Sequence, residues 1–202
     1  MSAARLGAAA ALAAIALAAL ALRSIGFETV FTPDGVAFAV FDGGYHARLA
    51  LWSGADSPRF LTWDPYLAWP NGGPGPWPPL QPLLVATPAP AARGGVEIVG
   101  RPPAWAAPGA GAATTLAVYA AARSVTSRGV ALGAAALYAG FGATIAVARV
   151  GDGDHHALVA LCGAVFLACA LGMLRPDASP GRRAVLGAGV ALARAAVVLA
   201  WN

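Results

Sequence analysis

Five apolar runs of 17 to 21 residues, each opening or closing on arginine or histidine, leave few folds open to this sequence. They are Leu6 to Leu22, Pro102 to Ala122, Gly129 to Ala148, Ala157 to Leu174 and Ala184 to Trp201. A helix rises 1.5 Å per residue, so even the shortest run gives roughly 26 Å, the short end of a bilayer crossing. Charged residues make up 11% of the chain and hydrophobic ones 58%, against ~25% charged in an ordinary soluble domain. The pattern predicts an all-α polytopic membrane protein with about five transmembrane helices. Leu6 to Leu22 also has the basic start and small residues of a signal peptide. We read it as a retained anchor, because more membrane segments follow.

The chain has no lysine, so its 13 basic residues are all arginines, and the net charge of +4 punctuates apolar segments. Such arginines report orientation, and nucleic acid is not an implied partner. With the N-terminus inside, the inner set is Arg5, Arg123, Arg128, Arg175, Arg182 and Arg183, and Asp177 is the one inner acid. The other eight acids then fall outside, with an external loop over 24–101 and a second over 149–156. Cys162 and Cys169 lie roughly 10 Å apart along one helix, too far to pair. Arg194 interrupts the fifth run, where a charge is costly unless it serves a partner or the run is not a true span.

The long first loop is not featureless. Phe60 to Pro79 reads FLTWDPYLAWPNGGPGPWPP, an aromatic-rich path punctuated by proline and glycine that predicts rigid turns at an interface. Leu80 to Ala92 is apolar but has only 13 residues and three prolines, so it reads as an interfacial or dipping segment. Two polar clusters stand out: FDGGYHAR at Phe41 to Arg48, and GDGDHH at Gly151 to His156. Both open on the same membrane face in this topology. Carboxylates beside imidazoles at the mouth of a span suit a divalent cation. The same residues also end helices and face water, and composition alone leaves both readings open.

The ordered motifs DGGYHAR, SPRFLTWDPYLAWPNGGPGPWPPL and GDGDHH resemble, in sequence and spacing, the N-terminal portion of bacterial and archaeal oligosaccharyltransferase catalytic subunits. The resemblance spans essentially the whole chain. It implies a GT-C glycosyltransferase-like fold, a single N-terminal transmembrane domain over 1–202, and transfer of glycan from a lipid-linked oligosaccharide, a polyprenyl pyrophosphate, to an asparagine of an acceptor polypeptide. It further implies a prokaryotic cell membrane, motif loops on the external face, and manganese or magnesium as cofactor.

By the same resemblance Asp42 is catalytic and a metal ligand, Tyr45, His46 and Arg48 contact substrate, and Asp154 and His156 complete the metal set. His155 takes the middle position of that motif, which need not be a ligand, and a register using Asp152 with Asp154 stays open. The chemistry explains the residue types. An amide nitrogen is a poor nucleophile until carboxylates accept its hydrogens, and a departing pyrophosphate needs a Lewis acid. Gly44, Pro82 and Val159 depart from the usual tyrosine, acid and glutamate. The family's later external loop and soluble C-terminal domain are expected to be missing, so these 202 residues alone are expected not to turn over; a second polypeptide carrying the C-terminal half is one form the resemblance allows. The alternatives are a non-catalytic membrane subunit keeping the fold, or another polyprenyl-phosphate-sugar-dependent glycosyltransferase.

Overall fold

The computed structural model describes residues 3–39, 41–55, 60–86 and 96–201. Thirteen-residue Leu80 to Ala92 is therefore described only as far as residue 86, and residues 57–59 of the SPRFLTW motif lie outside the described residues. The chain divides into two compact units: Met1–Ile25, Pro108–Arg149 and His156–Val197 form one, and Gly26–Ala107, Val150–His155 and Val198–Asn202 the other.

The first unit is helical. Helix α1 (Ala3–Arg23) coincides with the first apolar run, and its length and composition let it cross a membrane. The next helix in this unit belongs to Val96–Val125, whose C-terminal part carries the second run. Arg128–Gly140 follows, capped by the Ser127 hydroxyl on the Val130 amide, and then the short Gly142–Ala146. His156–Met173 and Pro180–Ala200 are again long and apolar enough to span.

The expected third span is interrupted. Phe141 adopts an extended backbone, φ −74° and ψ 122°, between two glycines, so 13 residues of helix, ~20 Å at 1.5 Å each, stop short of a bilayer thickness. Arg23 makes the interruption tolerable. Wholly buried at the end of α1, it donates from Nη1 to the carbonyls of Ala19 at 3.0 Å and Ala139 at 3.1 Å, and from Nη2 to Thr144 Oγ1 at 3.1 Å. Thr144 Oγ1 in turn lies 2.8 Å from both the Tyr138 and the Phe141 carbonyls, which share its one proton. The Tyr138 and Ala139 carbonyls, which the break deprives of their i+4 amides, thus find donors, as buried backbone must. Ala131, Ala135 and Ala139, spaced four apart, are buried and let α1 approach Arg128–Gly140 closely.

The second unit holds the first external-loop segment of the sequence reading, and it is far from irregular. A helical turn α2 (Phe27–Val30) leads into a two-residue antiparallel ladder, β1 (Phe31–Thr32) with β2 (Gly35–Val36). Helix α3 (Phe41–Ala55) carries the DGGYHAR motif. The WDPY…GP path forms a second small hairpin, β3 (Trp63–Asp64) with β4 (Gly73–Pro74), in line with the expected turn-rich path. Helix α4 (Leu80–Val85) packs on α3. Val30, Ala104 and Val150 form the apolar centre, flanked by Phe31, Val36, Phe38 and Trp105. The later helices are α5 (Val96–Val125), α6 (Arg128–Gly140), α7 (Gly142–Ala146), α8 (His156–Met173) and α9 (Pro180–Ala200).

Candidate metal centre

Two segments build the site: the first two turns of α3, and the Val150–His155 loop that precedes α8. The loop is held by backbone. Gly151 N donates to the Ala104 carbonyl at 3.0 Å, and its own carbonyl accepts from Ala39 N at 2.8 Å. Gly151 and Gly153 have φ of +76° and +67°, a region costly for residues with a Cβ. Gly151 lies against Val30, and Gly153 against Phe38 and the Gly43 backbone. At Gly43 a Cβ would collide with the Asp152 carbonyl, while at Gly44 it would meet nothing. The glycines of the two motifs are therefore what let α3 and the loop touch. Gln81 of α4 adds a side-chain bond from Nε2 to the Gly153 carbonyl at 2.5 Å.

This contact brings three buried side chains together. His46 Nε2 lies 3.1 Å from His155 Nδ1 and 3.4 Å from Asp154 Oδ1, and His155 Nδ1 lies 2.6 Å from the same oxygen. The His155 amide also donates to Asp154 Oδ1 at 2.6 Å. Burial alone would raise the Asp154 carboxyl, but hydrogen bonds from His155 and His46 outweigh it and hold the group well below the usual carboxylate range. Two imidazole N–H groups cannot both point into a 3.1 Å gap between nitrogens. At least one facing nitrogen therefore presents a lone pair, beside an ionised oxygen.

That donor set fits a divalent ion. With ligand bonds of ~2.0–2.2 Å, ligand atoms about a tetrahedral ion stand ~3.4 Å apart, near the two longer edges of the triangle. The tight 2.6 Å edge belongs to adjacent residues sharing a proton, which an ion would replace. Two imidazoles with one carboxylate suit manganese, iron or zinc better than magnesium. Aromatic rings wall the group: Trp77 lies 4.8 Å from His155 and 5.9 Å from His46 between centroids, and Trp201 lies 4.9 Å from His155. His46 Nδ1 is buried with no hydrogen-bond partner among the described residues.

The grouping differs from the one expected. His155, not His156, joins Asp154, because α8 begins at His156 and that side chain is exposed. His46 joins as a candidate ligand rather than a substrate contact. Asp42 is exposed on the first turn of α3 and lies outside the trio, though it sits four residues before His46, on the same helix face. Asp152 is buried and is not one of the trio, and its carbonyl lies against Gly43 of α3.

Arg48 pairs with Asp64, a wholly buried carboxylate of the DPY motif whose other oxygen accepts from the Tyr66 amide at 2.9 Å. Its guanidinium lies over the rings of Tyr45 at 5.1 Å and Tyr66 at 5.4 Å. Burial pushes the Tyr45 hydroxyl up, and the nearby Arg48 charge pulls it partly back. Sequence reasoning missed Asp64 and Gln81. An Asp-Pro-Tyr turn with an arginine upstream was a usable signal for Asp64; none marked Gln81.

Three helices long and apolar enough to cross a membrane, among the described residues, define a polytopic integral membrane protein. No protein-family model matches the sequence, and no curated protein does. Among solved structures the chain is similar to the apo oligosaccharyltransferase of Archaeoglobus fulgidus, with a TM-score of 0.84 and 23% identity over 96% of this chain and 24% of that one. It is likewise similar to the archaeal oligosaccharyltransferase AglB from that organism in complex with an inhibitory peptide and a dolichol-phosphate, TM-score 0.86 and 22% identity over 98% and 24%. A third match is the same organism's enzyme in complex with Zn and sulfate, TM-score 0.82 and 23% identity over 95% and 25%. The chain spans about a quarter of the length of the structures it matches. At these identities the likeness is one of fold, and it bears out the expected GT-C oligosaccharyltransferase-like architecture.

Proposed function

We propose that this chain is the N-terminal membrane portion of an oligosaccharyltransferase-like glycosyltransferase, which moves a glycan from a polyprenyl pyrophosphate to the side-chain amide of an acceptor asparagine. The observation that carries the reading is the buried His46, Asp154 and His155 group, assembled from segments 109 positions apart within a fold shared with an oligosaccharyltransferase. A manganese-like ion held there supplies Lewis acidity to a pyrophosphate leaving group. Asp42, one helical turn before His46, is suited to accept N–H hydrogens from the acceptor amide. Asp64 fixes Arg48 against Tyr45 and Tyr66, which keeps a guanidinium and a phenol beside the site.

The orientation belongs to the same reading. Arg128 donates to the Ala4 carbonyl at 3.0 Å, and Gly172 lies against Leu186 and Ser124. The start of α1, the α5–α6 turn and the α8–α9 turn therefore share one end of the helical unit. Arg5, Arg123, Arg128, Arg175, Arg182 and Arg183 gather there, with Asp177 paired to Arg175 at 2.8 Å. In this reading that end is the inner face by the positive-inside rule, the motif loops are external and the membrane is that of a prokaryotic cell.

The test uses the 202-residue chain in nanodiscs with manganese and a fluorescent polyprenyl-pyrophosphate oligosaccharide. Retention of the donor that requires the ion, and that is lost in Asp154→Ala and His46→Ala, supports the reading. Retention indifferent to both ion and substitutions overturns it. Transfer to an Asn-X-Thr peptide is expected only when the acceptor is also held in near-attack geometry, an effect worth roughly 7–11 kcal/mol.

A further inference from the structure

The basic end of α1 offers a second binding site. Arg5, Ala8, Ala9 and Leu12 of α1, Tyr119 of α5 and Arg128 at the start of α6 line an open cleft of about 250 Å³. Its floor is apolar, with Ala8 and Leu12 four apart on one helix face, and its rim carries two guanidinium groups and a phenol. No acidic residue occurs in residues 1–27 or 98–151, so α1, the greater part of α5, and α6 hold no carboxylate to neutralise that rim. Among the described residues neither arginine is paired with an acid. Arg128, which lines the cleft, spends one N–H on the Ala4 carbonyl, which anchors the group. Asp177, on the α8–α9 turn, is taken by Nε and Nη2 of Arg175 at 2.9 and 2.8 Å.

Two arginines, Arg128 anchored on the Ala4 carbonyl and Arg5 beside it, on a hydrocarbon-lined groove at the end of a membrane-spanning helix match an anionic amphiphile. Arginine forks bind phosphate bidentately, basic pockets between transmembrane helices take anionic head groups, and the floor is suited to methylenes. We propose that this cleft binds the phosphate of an anionic membrane phospholipid, with one acyl chain lying along Ala8, Ala9 and Leu12. The site is separate in residues and in chemistry from the donor site proposed above, and it does not depend on that assignment.

The experiment reconstitutes the full chain in nanodiscs of phosphatidylcholine doped with phosphatidylglycerol, and counts lipids retained on detergent release by native mass spectrometry. The wild type is expected to keep one phosphatidylglycerol in preference to phosphatidylcholine. Arg5→Gln/Arg128→Gln is expected to lower that retention by about tenfold, whereas Arg182→Gln/Arg183→Gln, which removes the same charge from residues that do not line the cleft, leaves it unchanged. Leu12→Trp fills the floor without altering charge and is expected to lower retention too, which keeps the proposal testable if the arginine pair proves needed for folding. Equal losses from both arginine pairs would mean diffuse attraction, displacement by inorganic phosphate as readily as by lipid would mean a simple anion site, and equal retention of the two lipids would mean a hydrophobic groove; each overturns the proposal.

Discussion

His46 Nε2 and His155 Nδ1 face each other at 3.1 Å across 109 positions of sequence, and both lie against one oxygen of Asp154. A pair of imidazoles arranged this way has a use for a cation that it does not have for two protons.

The first prediction separates the histidines. Manganese or zinc titrated calorimetrically into the chain should bind one equivalent, and His46→Ala, Asp154→Ala and His155→Ala should each weaken it by more than the ~10–100-fold typical of outer-shell changes. His156→Ala, altering an exposed ring, should change affinity little, and Asp42→Ala should act mainly on catalysis. A larger loss for His156→Ala than for His155→Ala would restore the ligand set that the family resemblance implies.

Adjacent glycines give the second prediction. A methyl at residue 43 meets the Asp152 carbonyl, and one at residue 44 meets nothing. Gly43→Ala should therefore push α3 off the loop, cost about 1–3 kcal/mol as overpacking does, and weaken ion binding. Gly44→Ala should be neutral or should stabilise α3 by about 0.5–1 kcal/mol. Thermal unfolding of the two variants in one detergent, followed by helical circular dichroism, is the check; equal effects would mean that the contact is not tight.

Much of this was legible. Apolar runs located α1, α8 and α9 because length and hydropathy are local properties, and the resemblance drew the two polar motifs together. The break at Phe141 was not legible, since glycines on either side of one aromatic do not lower hydropathy, and the donors that permit it come from Arg23 and Thr144. Nor was α3 legible, because Asp-Gly-Gly discourages a helix, and α4 packing on it decides the matter. The choice between His155 and His156 turns on the residue at which α8 starts, a boundary that motif spacing does not carry.

Orientation is the third prediction. On a Cys162→Ala/Cys169→Ala background, Asn71→Cys on the β3–β4 turn and Ser179→Cys on the α8–α9 turn both place an exposed thiol. In intact cells an impermeant maleimide should label Asn71→Cys, and should reach Ser179→Cys only after the membrane is opened. The reverse pattern would invert the topology and move the metal group to the cytoplasm.

The last prediction concerns Arg23, whose burial at a span end is justified only by what it bonds. Arg23→Leu removes the donors to the Ala139 carbonyl and to Thr144 Oγ1, and a buried acceptor left without a partner costs about 1–3 kcal/mol. Thr144→Val should cost less, on the order of 1 kcal/mol, because of the two carbonyls its hydroxyl meets, that of Phe141 keeps the Thr144 and Ile145 amides as donors. Gly111 tests the same packing from α5, since a Cβ there would collide with Arg23 Nε and come within 3.0 Å of the Ala148 side chain. Gly111→Ala should therefore destabilise the wild type, yet do so much less in an Arg23→Ala background. That non-additivity, expected at about 0.5–3 kcal/mol for residues in contact, is readable from a double-mutant cycle of unfolding in mixed micelles. Strict additivity would mean that Arg23 moves freely past α5, and that the break at Phe141 is held by Thr144 alone.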